Sequence, residues 1–211
     1  MEGGKMKSII FRLVLALAAF TVVPNALAAD TDSGNFFLDA KLGKSTNTTD
    51  FTDTGPNTET QASWGADGGY LWKLDDARSL GFDVGYMHFG TVADSVDANG
   101  FFTEQVSASA VTAGVHYEYL FGDDEAWIFQ GRAGWMRAKL DSSTYSYPPD
   151  GNPPATFYDS WHESGVYLGA GIGRQITRSF SLALACTIYN SSGQQISLSP
   201  YWLGLVAEFR F

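Results

Sequence analysis

Three histidines are the residues of this 211-residue chain best suited to acid–base chemistry: His88, His116 and His162. His116 and Glu118 are two residues apart, so in an extended strand their side chains lie on one face, where the carboxylate would orient the imidazole. No serine is evidently placed beside this pair. Cys186 is the single cysteine, and no group of Cys and His has metal-ligand spacing. The sequence therefore predicts a protein that is not an enzyme, with no catalytic residue, cofactor or metal site.

The start of the chain has the pattern of a secretory signal peptide. A basic segment precedes an apolar run over residues 13–23, and small residues then lead to a cleavage site after Ala28, with Ala29 as the alternative. The apolar run is about half of the roughly 20 residues that a spanning helix needs. Met1 and Met6 are both candidate initiators. We expect a signal peptide over residues 1–28 and one domain over residues 29–211.

The charge balance excludes nucleic acid as a partner. The chain has 13 Lys and Arg against 23 Asp and Glu, and the predicted signal peptide holds three of these bases and one of the acids. The remainder therefore has a net charge of −12, without the basic footprint that nucleic-acid binding requires. Aromatic residues make up 15% of the chain and charged residues 17%, which favours many strands that meet lipid headgroups.

After the signal peptide, hydrophobicity alternates with a period of two in eight segments. One face of each segment is almost free of charge, and in the first segment it carries Phe36, Leu38, Ala40 and Leu42. The other face mixes glycine with charged residues, which a soluble sandwich would not place toward its core. Eight segments of about ten residues match tilted transmembrane strands. The sequence predicts an all-β fold, a transmembrane antiparallel up-and-down β-barrel of eight strands.

The second face predicts a charge network inside the barrel. Its members are Asp39, Lys41, Asp67, Asp83, His116, Glu118 and Arg132. An eight-stranded barrel has room only for its own side chains, and charge buried there must be paired. We expect Glu118 and Arg132 to form a salt bridge across the turn between the fourth and fifth strands, whereas Glu208 and Arg210 lie near solvent at the mouth. These residues favour a plugged barrel, with a narrow channel for small solutes as the alternative.

The connectors alternate between long and short, as in outer-membrane barrels with long outer loops and tight periplasmic turns. The long ones cover residues 44–60, 90–104 and 139–163, and only the last outer connector, residues 190–195, is brief. They are acidic and rich in Thr, Ser, Asn and Gly. The third also carries candidates for an adhesive patch, namely Tyr145, Tyr147, Phe157, Tyr158 and Trp161. Arg137 and Lys139, at the top of the fifth strand, are predicted to contact lipopolysaccharide phosphates.

The last segment alternates aromatic and aliphatic residues and ends on phenylalanine. Its outward set is Tyr201, Leu203, Leu205, Phe209 and Phe211. This pattern resembles the C-terminal signal of bacterial outer-membrane barrels, which the barrel-assembly machinery recognises. Residues 111–119 and 167–173 resemble strands of the outer membrane protein A-like and opacity-protein-like small barrels.

This resemblance implies a location in the outer membrane of a Gram-negative bacterium. The partners that it implies are membrane lipid and lipopolysaccharide, the assembly machinery, and a host or cell-surface ligand. The predicted function is structural or surface interaction, through membrane integrity, adhesion or host contact by the acidic outer loops. The alternatives are a narrow porin-like channel and, less favoured, a lipid-active barrel enzyme.

Overall fold

The structure, a computed structural model, describes residues 34–51, 55–96, 102–122, 126–147, 154–192 and 196–211. The predicted signal peptide lies outside these residues. The described chain forms eight strands: β1 (Gly34–Phe51), β2 (Gly55–Lys73), β3 (Arg78–Val96), β4 (Phe102–Phe121), β5 (Trp127–Ser146), β6 (Ala155–Thr177), β7 (Phe180–Ser192) and β8 (Ile196–Arg210). Within these ranges no helix is long and apolar enough to cross a membrane.

Each strand pairs antiparallel with the next one in the chain, and β8 returns to pair with β1. At this closure Leu38 lies opposite Phe209, and Ala40 lies opposite Ala207. Closure gives every strand a paired neighbour on both sides. The predicted all-β, up-and-down barrel of eight strands is confirmed.

The two faces of the strands separate as the alternation predicts. In β1, Phe36 is 45% exposed on the outside, whereas its neighbour Phe37 is 3% exposed on the inside. β5 and β6 repeat this alternation over most of their length. A period of two places successive side chains on opposite faces of a strand, so one register decides the whole inner and outer surface of the barrel.

The strands are longer than predicted. β5 has 20 residues and β6 has 23, and much of the three segments expected to be long loops continues as paired strand. Residues 44–51 of β1, for example, pair with residues 55–62 of β2. Threonine and serine are compatible with strands, and backbone hydrogen bonding between two solvent-exposed strands needs no hydrophobic alternation. The hydrophobic alternation therefore marks only part of each strand.

The two ends of the barrel differ. Short turns at residues 74–77 and 178–179 define what we call the turn end, and the opposite end is the loop end. Toward the loop end β3 carries a bulge between His88 and Gly90, where Gly90 has a φ of +80°. A bulge shifts the phase of the alternation, and both Phe89 and Val92 are buried inside.

Candidate functional site

All seven residues of the predicted interior network are buried inside the barrel. They lie toward the turn end, on β1 to β5. Arg132 of β5 is at the centre of the first group, which we call the Arg132 cluster: Arg132, Asp39, Lys41, Asp67 and Asp83. It draws on four strands that are distant in sequence.

The guanidinium of Arg132 joins three carboxylates across the barrel. Its Nη1 donates to Asp67 Oδ2 at 2.6 Å and lies 3.7 Å from Asp83 Oδ2, and its Nη2 donates to Asp39 Oδ2. Lys41 forms an ion pair with Asp67. The ring of Phe37 lies 5.8 Å from the guanidinium carbon. Pairing of this kind offsets the large desolvation cost of burying charge.

A second group, the Arg210 cluster, lies closer to the turn end and consists of Arg210, Glu118, Gln130 and Glu208. Arg210 donates to Glu118 Oε2 at 2.8 Å and to Glu208 Oε1 at 2.6 Å. The Gln130 amide donates to Glu118 Oε1 at 3.1 Å and to Glu208 Oε2 at 3.2 Å. The expectation that Glu208 lies near solvent is wrong, because its side chain is almost fully buried.

The predicted salt bridge between Glu118 and Arg132 is also wrong. The register places His116 opposite Arg132 and Glu118 opposite Gln130. Arg132 is long enough to reach across the interior to β1, β2 and β3, where three carboxylates meet it, and Glu118 pairs with Arg210 instead. Proximity across one turn did not identify the partner, since partners inside a closed barrel come from every side.

His116 lies between the two clusters and is fully buried. Its Nε2 is 3.7 Å from Glu118 Oε1 and 3.5 Å from an Arg132 nitrogen, and the Phe37 ring packs against it. His116, Glu118 and Glu208 bring ligand-type atoms within 4.8 Å of one another. Both carboxylates already accept hydrogen bonds from Arg210 and Gln130, so this arrangement is explained without a metal ion.

Above the two clusters, toward the loop end, most of the large buried side chains are apolar. We call this region the apolar layer: Met87, Phe89, Val92, Val106, Ala108, Ala110, Met136, Ala138, Leu140, Tyr189 and Trp202. Tyr167 joins it to the Arg132 cluster by donating to Asp83 Oδ1 at 2.8 Å. The Tyr167 ring occupies the space that side chains at Gly114 and Gly134 would need. A cavity beside Arg132 has a volume of about 10 Å³, close to the smallest that holds one water molecule.

The outward face carries aromatic side chains near both ends. At the turn end, Tyr70 and Trp72 are 5.3 Å apart, and Phe180 and Phe209 are 4.9 Å apart, between ring centroids. Tyr201, Leu203 and Leu205 of the predicted assembly signal are exposed on the outside, and Phe209 and Phe211 are half-buried. Their recognition by assembly machinery stays a prediction.

Arg137 and Lys139 also lie on the outward face, where β5 passes beyond the apolar residues. Both are exposed, and Lys139 Nζ is 2.8 Å from Asp141 Oδ1. Farther toward the loop end, Tyr145 and Tyr147 have ring centroids 4.7 Å apart, and Tyr158 is 81% exposed. Phe157 is exposed as well, whereas Trp161 packs partly against the apolar layer.

Comparison with known proteins shows the fold. No protein-family model and no curated protein sequence matches the chain. Among solved structures, Neisserial surface protein A is similar, with 11% identity, a TM-score of 0.50, and coverage of 83% of this chain and 97% of its own. The outer membrane protease OmpT from Escherichia coli has 10% identity, a TM-score of 0.53, and coverage of 84% of this chain and 97% of its own. The chain therefore has the fold of the small outer-membrane β-barrels.

Proposed function

We propose that the protein is a closed outer-membrane barrel with a structural or surface-interaction role in a Gram-negative bacterium. One observation carries this proposal. Large apolar side chains are exposed around the outside of the barrel, with Leu42, Val84, Val115, Leu168, Leu184 and Leu205 as examples from six strands. Soluble monomers rarely expose continuous apolar patches larger than a few hundred Å². A belt of this kind is stable only when lipid covers it.

The filled interior supports a structural role rather than a channel function. The Arg132 cluster and the apolar layer lie one above the other, so a solute would have to displace both. An eight-stranded barrel is wide enough only for its own side chains. His116 is fully buried between the two clusters, which supports a non-catalytic role for it.

The projecting strands supply the surface for interaction. A strand needs about 9–11 residues to cross the hydrocarbon layer, and β5 and β6 are roughly twice that length. Their outer portions, residues 137–146 and 155–164, therefore extend beyond the apolar belt. The exposed tyrosines of these portions have the residue type that is enriched in binding surfaces.

The first test is gel migration of the protein from outer-membrane fractions, unheated and boiled. A closed, detergent-resistant barrel migrates differently after boiling. Unchanged migration together with recovery in the soluble periplasm would overturn the proposal. Conductance in planar bilayers tests whether the filled interior blocks solutes, since steady and reproducible openings would show that the channel alternative is correct.

A matched pair of variants tests the lipid-facing belt directly. Leu168→Arg introduces a charge on the outward face of β6 within the belt, and Ser164→Arg introduces the same charge on the same face beyond it. In a bilayer an arginine near the midplane of a barrel costs about 2–4 kcal/mol, falling to roughly 0–1 near the interface. We expect Leu168→Arg alone to reduce the folded, heat-modifiable fraction. Equal behaviour of the two variants in membranes would contradict lipid contact at Leu168.

A further inference from the structure

The basic residues of the barrel are unevenly distributed. Ten Lys and Arg residues follow the predicted signal peptide: three lie inside the barrel, four lie near the turn end, and the other three lie on the outward face toward the loop end. Those three are Lys44 on β1 and the Arg137–Lys139 pair on β5. His162 of β6 lies directly opposite Lys139 in the register. In a domain with a large negative charge, Arg137 and Lys139 form a local anion-attracting patch on the side of the barrel, away from Lys44.

A cleft lies immediately beside this patch. Its volume is about 560 Å³, within the range of small-molecule sites. Its lining is Tyr86, Ser109, Ala110, Val111, Trp135, Arg137, Lys139 and His162. The residues from β4 are small, whereas Tyr86 on β3 and Trp135 on β5 are large and exposed. The result is a trough with aromatic walls and cations at its loop-end rim.

The cations are available to a ligand. Arg137 is exposed and makes no ion pair with any residue that the structure describes. Lys139 contacts Asp141, but an ammonium group has three donor hydrogens and both side chains are about half exposed. His162 is exposed beside Lys139. Exposed ion pairs contribute little stability, so a phosphate would displace Asp141 from Lys139 at low cost.

The chemistry along this face changes in a fixed order. Trp135 lies next to the apolar belt, and Arg137 and Lys139 lie beside the trough residues Val111 and Ser109. Farther out, Asp141 lies opposite Ser160, and Ser143 lies opposite Tyr158. An apolar, then a cationic, then a mixed hydroxyl and tyrosine region match, in the same order, the acyl chains, phosphates and sugars of a phosphorylated glycolipid. A phospholipid has no sugar to occupy the outermost region.

We propose that the outward face of β4, β5 and β6 is a specific lipopolysaccharide site. An acyl chain lies in the trough between Tyr86 and Trp135, lipid A phosphates bind Arg137, Lys139 and His162, and core sugars contact the hydroxyl and tyrosine side chains farther out. This inference rests on the proposed insertion into the outer membrane. The proposed site gives the barrel a defined lipid partner. It also means that the barrel orders the surrounding lipid on one side only.

The charge arm of the test uses the refolded barrel in phosphatidylcholine nanodiscs, titrated with purified lipopolysaccharide. Because the Arg137→Ala/Lys139→Ala variant loses the charge-assisted hydrogen bonds that these side chains donate to phosphate, we expect it to bind at least about tenfold more weakly. Lys44→Ala removes an outward charge near the loop end on another side of the barrel, and its affinity should stay at the wild-type value. Lipopolysaccharide stripped of its lipid A phosphates and vesicles of phosphatidylglycerol serve as competing probes, and both should compete poorly.

The second part of the test changes the shape of the trough without changing its charge. Val111→Trp fills the trough, whereas Val115→Trp places the same side chain on the same face of β4 outside it; the two valines are 55% and 53% exposed. Exposed positions of this kind tolerate substitution, so both variants should fold and remain heat-modifiable. We expect only Val111→Trp to weaken lipopolysaccharide binding.

The outcomes separate this site from the proposed function. A heat-modifiable barrel in the outer membrane whose affinity is unchanged in both the charge and trough variants would overturn the site and leave the proposed function intact. Equal binding of intact and dephosphorylated lipopolysaccharide would also overturn it. If the wild-type protein is absent from the outer membrane, both proposals fall together.

Discussion

The interior of the barrel has two halves that are stabilised by different interactions. Toward the turn end, the Arg132 and Arg210 clusters fill the space with paired charge. Toward the loop end, the apolar layer fills the same cross-section with side chains such as Met136, Leu140 and Trp202. Both halves belong to the same strands and the same closed sheet. The backbone therefore does not dictate how the interior is filled.

The difference shows what each half needs in order to stay closed. The charged half depends on partners, since removing one member leaves others buried without compensation. The apolar half depends on shape, since it needs volume and close contact but no particular atom. Tyr167 is at the boundary, with its ring among apolar side chains and its hydroxyl on Asp83. Substitutions that remove a partner should therefore be costly below this boundary, and substitutions that change volume should be costly above it.

The largest effect is expected for Arg132→Met, which removes the common partner of Asp39, Asp67 and Asp83. Breaking a buried ion pair by removing one member costs about 3–5 kcal/mol. The measurement is urea unfolding of the refolded barrel, followed by the heat-modifiable gel band. Arg178→Met removes the same charge in an exposed turn and should change the free energy of unfolding by less than about 0.5 kcal/mol.

If Arg132→Met does not refold, a second variant keeps the test decisive. Adding Asp39→Asn removes one of the uncompensated charges and should recover part of the folded fraction. If Arg132→Met lowers the free energy of unfolding no more than Arg178→Met does, the Arg132 cluster does not stabilise this half of the interior.

The outer surface of the barrel was predictable from the sequence, whereas the partners inside were not. Alternation in residues 36–42 decides which side chains face outward, because a period of two has only two possible assignments. The seven interior residues followed from the same assignment. Their pairing did not, since Arg132 meets residues of β1, β2 and β3 that are 49 to 93 positions away in the chain. Contacts across a closed barrel leave no local spacing in the sequence.

The strand ends and the apolar layer show two further limits of the sequence. The projecting parts of β1 and β2 consist mostly of polar residues, so no hydrophobic alternation marked them as strand, and their backbones pair with each other. Met87, Met136 and Trp202 lie on the inner face together with charged residues. Only the stagger of the strands around the barrel shows that most of the large apolar side chains lie together, on the loop-end side of the Arg132 and Arg210 clusters.

A smaller effect than that of Arg132→Met is expected in the apolar layer, where volume decides the outcome. Met136 is fully buried, and Met136→Ala leaves a cavity, which in protein cores costs about 2–5 kcal/mol. Met136→Leu keeps most of the volume and should cost less than about 1.5 kcal/mol. Both variants are compared by the same urea unfolding. Equal destabilisation by the two substitutions would contradict the idea that this half depends on shape.

Next in size is Tyr167→Phe at the boundary between the halves. The substitution keeps the ring among the apolar side chains and removes the hydroxyl that donates to Asp83 at 2.8 Å. A buried acceptor left without its donor costs about 1–3 kcal/mol. Tyr201→Phe makes the same change on the exposed outward face and serves as the control. If both variants unfold at the same urea concentration, Asp83 does not depend on the hydroxyl of Tyr167.

The smallest effect is expected outside the barrel, at the turn between β2 and β3. There Asp75 Oδ2 accepts a hydrogen bond from Arg78 Nε at 2.6 Å, and Oδ1 accepts from the backbone N–H groups of Arg78 and Ala77. The side-chain hydrogen bond from Arg78 is the main cause that lowers the pKa of Asp75 below its ordinary value, and the backbone donors act in the same direction.

A carboxyl whose pKa is lower in the folded state stabilises the fold above its unfolded pKa, and this contribution disappears as the pH falls through the folded value. At neutral pH, solvent weakens the pair, so Asp75→Asn should change the unfolding midpoint less than any interior variant does. Below a pH of about 4 the wild type should lose this contribution and approach the variant. Unfolding curves of both proteins from neutral pH to that range check the order, and a gap that widens on acidification would show that charge at Asp75 does not act through Arg78.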